Sequence, residues 1–235
     1  MLVQTPAVIL KSFPFGDTSL IARCYTREQG KISLMIKGAR RKKSPLGAYF
    51  QPMNHVELVY YYKATREIQL LSKVAFLDLW SNINDDLKKL LYGFAVVELT
   101  DKTNTELDPH VELFDELVRV LRQFDNQNHR LNLIFWYYEI RLLTILGFKP
   151  DFSQREFKGT TLPDPDAGPN SAVILNMLNN NNIIMNREGL AKLDNVKVTH
   201  RDRKAISDYL STYLLYHFEN IADMKSLKVL KEILF

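Results

Sequence analysis

Apolar and polar positions alternate with a period of two through the first third of the chain, and then recur at helical spacing through most of the rest. Ile32, Leu34 and Ile36 alternate with Ser33 and Met35, the pattern of a strand with one buried face. The same reading places strands over residues 7–13, 19–25, 31–37, 55–62 and 67–74, with Lys31 and Lys37 on the outer face of the third. Turn chemistry separates them at Pro14-Phe15-Gly16-Asp17, at Gln29-Gly30 and at Ser44-Pro45. Five short strands packed this closely suit a small closed barrel, because closure removes exposed edges.

From about residue 78 the period becomes helical. Residues 85–102 carry Leu87, Leu90, Leu91, Phe94, Ala95 and Val97 at helical spacing, with Asn84 or Asp85 as the cap. A second helix begins near Pro109 and aligns Val111, Phe114, Leu117, Val118 and Leu121; a third spans roughly 131–146 and stops at Gly147 and Pro150. That third helix is apolar almost all round, so it is expected at the centre of a bundle. Residues 151–198 are the least regular part, with a Pro-Asp-rich stretch at 163–169 and a polar tract at 179–182; helix returns over 199–235, where Ile206, Tyr209, Leu210, Tyr213 and Leu214 are in phase, followed by Leu227, Leu230 and Leu234. The expected architecture is α+β: a five-stranded barrel domain over residues 1–79, then a helical domain over 80–235 with an irregular, cysteine-free insertion at about 151–198.

Charge sharpens this division. Residues 1–79 hold 12 Lys or Arg against 5 Asp or Glu, while the remaining 156 hold 19 basic and 22 acidic residues. A basic module on a slightly acidic body points to a polyanionic partner. The densest cluster is residues 37–44, Lys-Gly-Ala-Arg-Arg-Lys-Lys-Ser. Four consecutive cations would point to both faces of a strand and most sides of a helix, so the run is expected to be a solvated loop. A single cysteine, Cys24, excludes an intrachain disulfide and a cysteine-rich zinc site, a usage that fits a reducing cytoplasm, and its phase opposite Arg23 marks a buried thiol. No membrane-spanning stretch exists, and the first residues lack the pattern of a signal peptide.

The chain holds no catalytic signature. It has no Gly-x-Ser-x-Gly, no phosphate loop, no Gly-x-Gly-x-x-Gly and no His-Glu-x-x-His. His55, His110, His129, His200 and His217 are isolated in sequence, and the pairs Asp85-Asp86 and Asp115-Glu116 lie near helix starts, where they favour the helix dipole. Asp164, Asp166 and Gly168 fail the calcium-loop spacing. A binding protein without catalysis, metal or cofactor is expected.

Several segments in order resemble the RecO family of bacterial DNA repair: Thr26-Arg-Glu-Gln-Gly30 before a strand, Lys37-Gly-Ala-Arg40 with Ser44, Gln51-Pro52, Tyr138-Glu139 with Leu142-Leu143, Leu146-Gly-Phe-Lys-Pro150, and Lys225-Ser-Leu227. The resemblance implies an oligonucleotide/oligosaccharide-binding (OB) barrel followed by a helical domain. It also implies a recombination mediator, not an enzyme, which binds single-stranded and also duplex DNA, anneals complementary strands and helps load the recombinase. Its implied partners are RecR, the C-terminal tail of single-stranded DNA-binding protein and, indirectly, RecA, in the bacterial cytoplasm on the nucleoid. Many relatives carry four cysteines as a zinc-ribbon-like site after the Gly-x-x-Pro turn; this chain has none there, so the segment is expected as a metal-free loop or hairpin.

In such barrels the face around strands two and three, with the loops joining strands one to two and four to five, is the usual ligand surface. The candidate DNA contacts are therefore Lys37, Arg40, Arg41, Lys42 and Lys43 in the basic run, Arg23 and Lys31 on the strands, and Lys63, Arg66 and Tyr61 near the last loop. Tyr25 shares the face of Arg23, and Phe13 and Phe15 bracket the first loop, where two readings stay open: stacking on bases, or closing the barrel end, which is slightly favoured. Arg130 and Arg141 are candidates for a partner's carboxylate. Two other readings stay open from the residues alone: an RNA-binding or ribosome-associated adaptor, and a protein-interaction scaffold.

Overall fold

Strands β1 (Leu2–Phe15), β2 (Ser19–Thr26), β3 (Gly30–Ile36), β4 (His55–Tyr61) and β5 (Ile68–Asp78) close into a barrel of order β1-β2-β3-β5-β4. All neighbours are antiparallel except β3 and β5, which run parallel. This is the OB topology. The computed structural model describes residues 1–157, 159–180 and 196–234.

The alternation read from β3 holds in space. Ile32, Leu34 and Ile36 point inward and join Ala7, Ile9, Ala22, Cys24, Val56, Leu58 and Tyr60 in one core. Burial pushes the Cys24 thiol well above the usual range, so it stays protonated as a small core side chain. Two strands are longer than the local pattern suggests. Leu2 to Val8 pair with β4, and Ala7 to Phe15 pair with β2, so β1 serves two neighbours and bends between them at a bulge after Ile9. Ladder pairing with β4 likewise carries β5 on to Asp78. The short helix α1 (Leu46–Tyr49) was not expected; Tyr49 stacks on Phe76 at 4.3 Å and Phe50 is fully buried in the barrel core.

The chain divides into two compact units, Met1–Asn126 and Gln127–Phe235. The first unit holds the barrel together with α2 (Ser81–Asp85), α3 (Leu87–Thr103) and α4 (Val111–Asn126). Arg27 binds Asp115 of α4 at 2.8 Å, Arg122 of α4 binds Asp78 at 2.9 Å, and Asp78 also meets His55 at 2.8 Å. Asp86 caps α3, accepting from the backbone of Lys88 and Lys89, one residue beyond the caps expected. The apolar spacing of α3 misled about its buried side. Leu87 and Phe94 are exposed, while Tyr92, Ala95, Val96, Val97 and Leu99 are buried; the helix carries enough apolar residues that periodicity alone does not choose a face.

In the second unit, α5 (Leu131–Ile145) is buried nearly all round, as its composition implied. With it pack α6 (Ser171–Asn179) and α7 (His200–His217); a 3-10 turn at Glu219–Asp223 precedes α8 (Lys225–Leu234). The described residues of the insertion include the hairpin that the family resemblance implied, β6 (Glu156–Phe157) with β7 (Thr160–Thr161), and a helix that was not expected, α6. Aromatic packing fastens the insertion to α7: Phe152 lies 5.5 Å from Tyr209, and Phe157 lies 4.4 Å from Tyr216 and 5.2 Å from His217, ring centre to ring centre. Asp166, considered in sequence as part of a calcium loop, instead meets Arg155 at 2.7 Å. Asn181 and Asn182 of the polar tract lie outside the described residues. Since each well-placed aromatic pair contributes about 0.5–1.5 kcal/mol beyond area burial, Phe157→Ala is expected to destabilise this unit by about 1–3 kcal/mol, read as a lower urea midpoint.

Candidate nucleic-acid interface

The basic run leaves β3 through Gly38, whose φ of +72° suits a residue without a side chain. Two successive turns follow, Arg41 N–H to Gly38 O and Ser44 N–H to Arg41 O. The run is a loop, as its charge pattern required, but a fastened one. Ala39 is buried in the barrel core, the backbone N–H of Arg40 donates to Thr18 O at 2.8 Å, and its guanidinium donates to Gly16 O at 2.9 Å. Both acceptors belong to the β1–β2 loop, so these two loops share one end of the barrel. Lys37, Arg40, Arg41, Lys42 and Lys43 all stand exposed, and none forms an ion pair among the described residues.

The β4–β5 loop is held differently. The buried amide of Gln69 accepts from Lys63 N–H at 2.9 Å and donates to Lys63 O at 3.2 Å and to Arg66 O at 2.6 Å. That side chain staples the loop from within and leaves Lys63 and Arg66 exposed. Tyr61, at the end of β4, is 50% exposed. Phe13 and Phe15 are 44% and 48% exposed; neither closes the barrel end, because α1, Ala39 and Phe50 already do.

Arg23 and Lys31 turn out otherwise. Lys31 is only 5% exposed, and its ammonium donates to Asp101 O at 2.7 Å and Asn104 O at 2.6 Å, with the Asp101 carboxylate 3.4 Å away. Arg23 is bound by Asp101 at 3.4 Å and Glu106 at 3.1 Å, and Lys11 by Asp101 at 2.8 Å. The segment after α3 lies across this part of the wall, with Leu107 N–H bonded to Lys31 O, and Tyr25 is wholly buried. Gly30, at φ +67°, sits against the Asp108 backbone so closely that a side chain there would collide with it. The outer face of β2 and β3 is thus covered at one end by the protein's own acidic strap. Lys31 is a buried structural cation, and Arg23 is committed to two carboxylates. Burial alone would raise the pKa of Asp101, yet Lys11, Lys31 and Arg23 hold it below the usual carboxylate range.

Arg130 caps α5 with a left-handed backbone and donates to Val196 O at 3.4 Å; it and Arg141 are half-buried and each has partners within the chain, so they do not present a pair of free guanidinium groups. Among the described residues no group of His, Cys, Asp or Glu is arranged to hold a metal, and no helix is long and apolar enough to cross a membrane.

A closed five-stranded OB barrel bearing two fastened loops of unpaired cations, with a helical unit after it, defines an OB-fold protein of α+β class. Residues 1–80 match the family model described as Recombination protein O N terminal, and residues 84–183 match Recombination protein O C terminal. The chain belongs to the RecO family. It is similar to the DNA repair protein RecO of Salinibacter ruber, 34% identical over 160 residues (68% of this chain, 62% of that protein), and to that of Prosthecochloris aestuarii, 33% over 162 residues (69% and 61%). A protein of the same name from Chlorobium limicola is 28% identical over 191 residues, 81% of this chain and 70% of that one. The chain spans about three fifths of the length of the first two relatives.

Proposed function

We propose that this chain is a DNA-repair protein of the recombination-mediator type. It binds single-stranded DNA, and duplex DNA through the backbone alone, by the basic loops of its barrel; it anneals complementary strands and assists recombinase loading on DNA covered by single-stranded DNA-binding protein. The tail of that protein, RecR and, indirectly, RecA are its partners, and it works without catalysis in the bacterial cytoplasm, on the nucleoid. The observation that carries this reading is the contrast between two sets of cations on one barrel. Those at Arg23 and Lys31 are neutralised by carboxylates, whereas Lys37, Arg40 to Lys43, Lys63 and Arg66 stand exposed without an ion pair among the described residues. Unpaired cations on fastened loops suit phosphate binding, since no internal ion pair must break and little loop entropy is lost.

The experiment is a gel shift with labelled single-stranded DNA, competed by unlabelled single-stranded DNA, duplex DNA and structured RNA. Single-stranded DNA is expected to compete best. Superior competition by the RNA, which would require recognition of 2′-hydroxyls, contradicts the reading in favour of an RNA adaptor, and no shift at physiological salt contradicts it in favour of a protein scaffold.

A further inference from the structure

One rung of the barrel's outer wall is apolar on every strand. Following the cross-strand partners, Phe13 of β1 pairs with Ile21 of β2, Ile21 with Met35 of β3, Met35 with Leu70 of β5, Leu70 with Tyr61 of β4, and Tyr61 with Leu2 at the start of β1. These positions alternate with the inward residues Ala22, Leu34, Leu71 and Tyr60, so all six face away from the core. An outward rung of a soluble barrel is ordinarily polar. Here Phe13, Tyr61 and Leu2 are 44%, 50% and 57% exposed, Met35 and Leu70 are partly so, and Ile21, between Phe13 and Met35, is buried. The strap that covers Tyr25 and Lys31 engages β3 at its beginning, at Lys31, two outward positions before Met35.

Its surroundings say what would cover it. Lys37 follows the end of β3, Lys63 and Arg66 stand on the loop between Tyr61 and Leu70, and Lys73 pairs with Val59 one outward position from Tyr61. The acidic side chains nearby are Asp17 and Glu67, both exposed on loops, and, one outward position along β2 at Arg23, Asp101 and Glu106 of the strap region, which Arg23, Lys11 and Lys31 already meet. A partner that lays apolar faces on the rung while its negative charges meet cations on both sides has the chemistry of a strand of nucleotides. From Met35 through Leu70 and Tyr61 to Leu2 the exposed part of the rung crosses three strand spacings of about 4.8 Å, roughly 14 Å, with Phe13 beyond Ile21, room for a segment near the low end of the ~4–16 nucleotides that OB barrels hold.

Resting on the DNA-binding reading above, we infer that this rung seats the unstacked bases of single-stranded DNA, and that it, rather than the basic loop, sets preference for single strands over duplex. The two parts divide the work. Cations on the loops meet phosphates, which both forms of DNA offer. Only an unpaired strand can turn its bases onto Phe13, Met35 and Tyr61, because duplex bases are stacked on one another and present mainly phosphates and groove edges.

The test compares a fluorescent oligothymidylate with a duplex of equal length, by anisotropy, on the wild-type chain and on Phe13→Ala/Met35→Ala/Tyr61→Ala. Each lost stack is worth about 5- to 150-fold, so the variant is expected to bind the single strand about 100-fold more weakly and the duplex unchanged. Tyr61→Trp, which keeps a stacking face, is expected to bind the single strand at least as well as wild type, and serves as the folded control. Equal losses on both DNAs, or no loss on either while binding persists, overturns the inference and leaves the basic loop as the DNA site. Concentration-dependent self-association that the triple variant abolishes overturns it in favour of a second copy of the chain on the rung. Binding of neither DNA by the wild-type protein overturns both readings.

Discussion

Asp101→Asn is expected to destabilise the first unit by about 3–5 kcal/mol, the cost typical of removing one partner from a buried ion pair. Three cations converge on this carboxylate, and one of them, Lys31, has a side chain only 7% exposed. With the carboxylate gone, Lys31 keeps two carbonyl acceptors, Asp101 O and Asn104 O, but loses its nearest counter-charge. Burial already draws the Lys31 ammonium below its ordinary pKa, which shows which way an unpaired cation would be driven. Lys31→Met in the Asp101→Asn background is therefore expected to recover part of the loss, because it removes the stranded charge. Urea midpoints of wild type, Asp101→Asn, Lys31→Met and the double variant give the comparison; a double variant no more stable than Asp101→Asn contradicts the assignment of the loss to Lys31.

The same carboxylate sets an acid limit. Asp101 titrates below its unfolded value, which is about 3.9 for an ordinary Asp. A depressed carboxyl stabilises the fold fully above the unfolded pKa, and that contribution disappears as pH falls through the lower folded value. Asp78, beside His55 and Arg122, and Asp115, beside Arg27, are lowered as well and act with the same sign. Wild-type stability should fall steeply below about pH 4, and the Asp101→Asn variant should fall less steeply over that window.

Replacing Arg40, Arg41, Lys42 and Lys43 together by Ala is expected to weaken DNA binding by about 10²- to 10³-fold near 0.1 M salt, since each phosphate neutralised on a single strand contributes about 0.7 to the exponent on salt. Stability should change little. The four side chains are exposed, and apart from the Arg40 bond to Gly16 O they hold nothing together, while the anchors of the loop are Ala39 and backbone hydrogen bonds.

Much of the barrel was legible because its signal is local. Ile32, Leu34 and Ile36 declare an inward face within seven residues, and the turns around them carry Gly and Pro. The basic run was legible as a loop for the same reason. The start of β1, the end of β5 and α1 were not, since ladder pairing and packing against Phe76 decide them rather than any local period. The internal pairing of Arg23 and Lys31 escaped the sequence for a related reason. Their period-two phase correctly put them on the outer wall, but Asp101 and Glu106, the partners that withdraw them from solvent, lie some seventy to eighty positions away in sequence. Local pattern reports which way a side chain points; it does not report what the rest of the chain lays over it. Conversely, the apolar rung was hidden because its members are scattered over five strands, and only the register brings Phe13, Met35 and Tyr61 into one row.

The most direct measurement is the slope of log affinity against log salt for an oligothymidylate, on wild type and on the four-Ala variant. If the run from Lys37 to Lys43 neutralises about five phosphates, the wild-type slope includes a contribution of about −3.5, and the variant should be flatter by about 2.8. An unchanged slope would contradict the account.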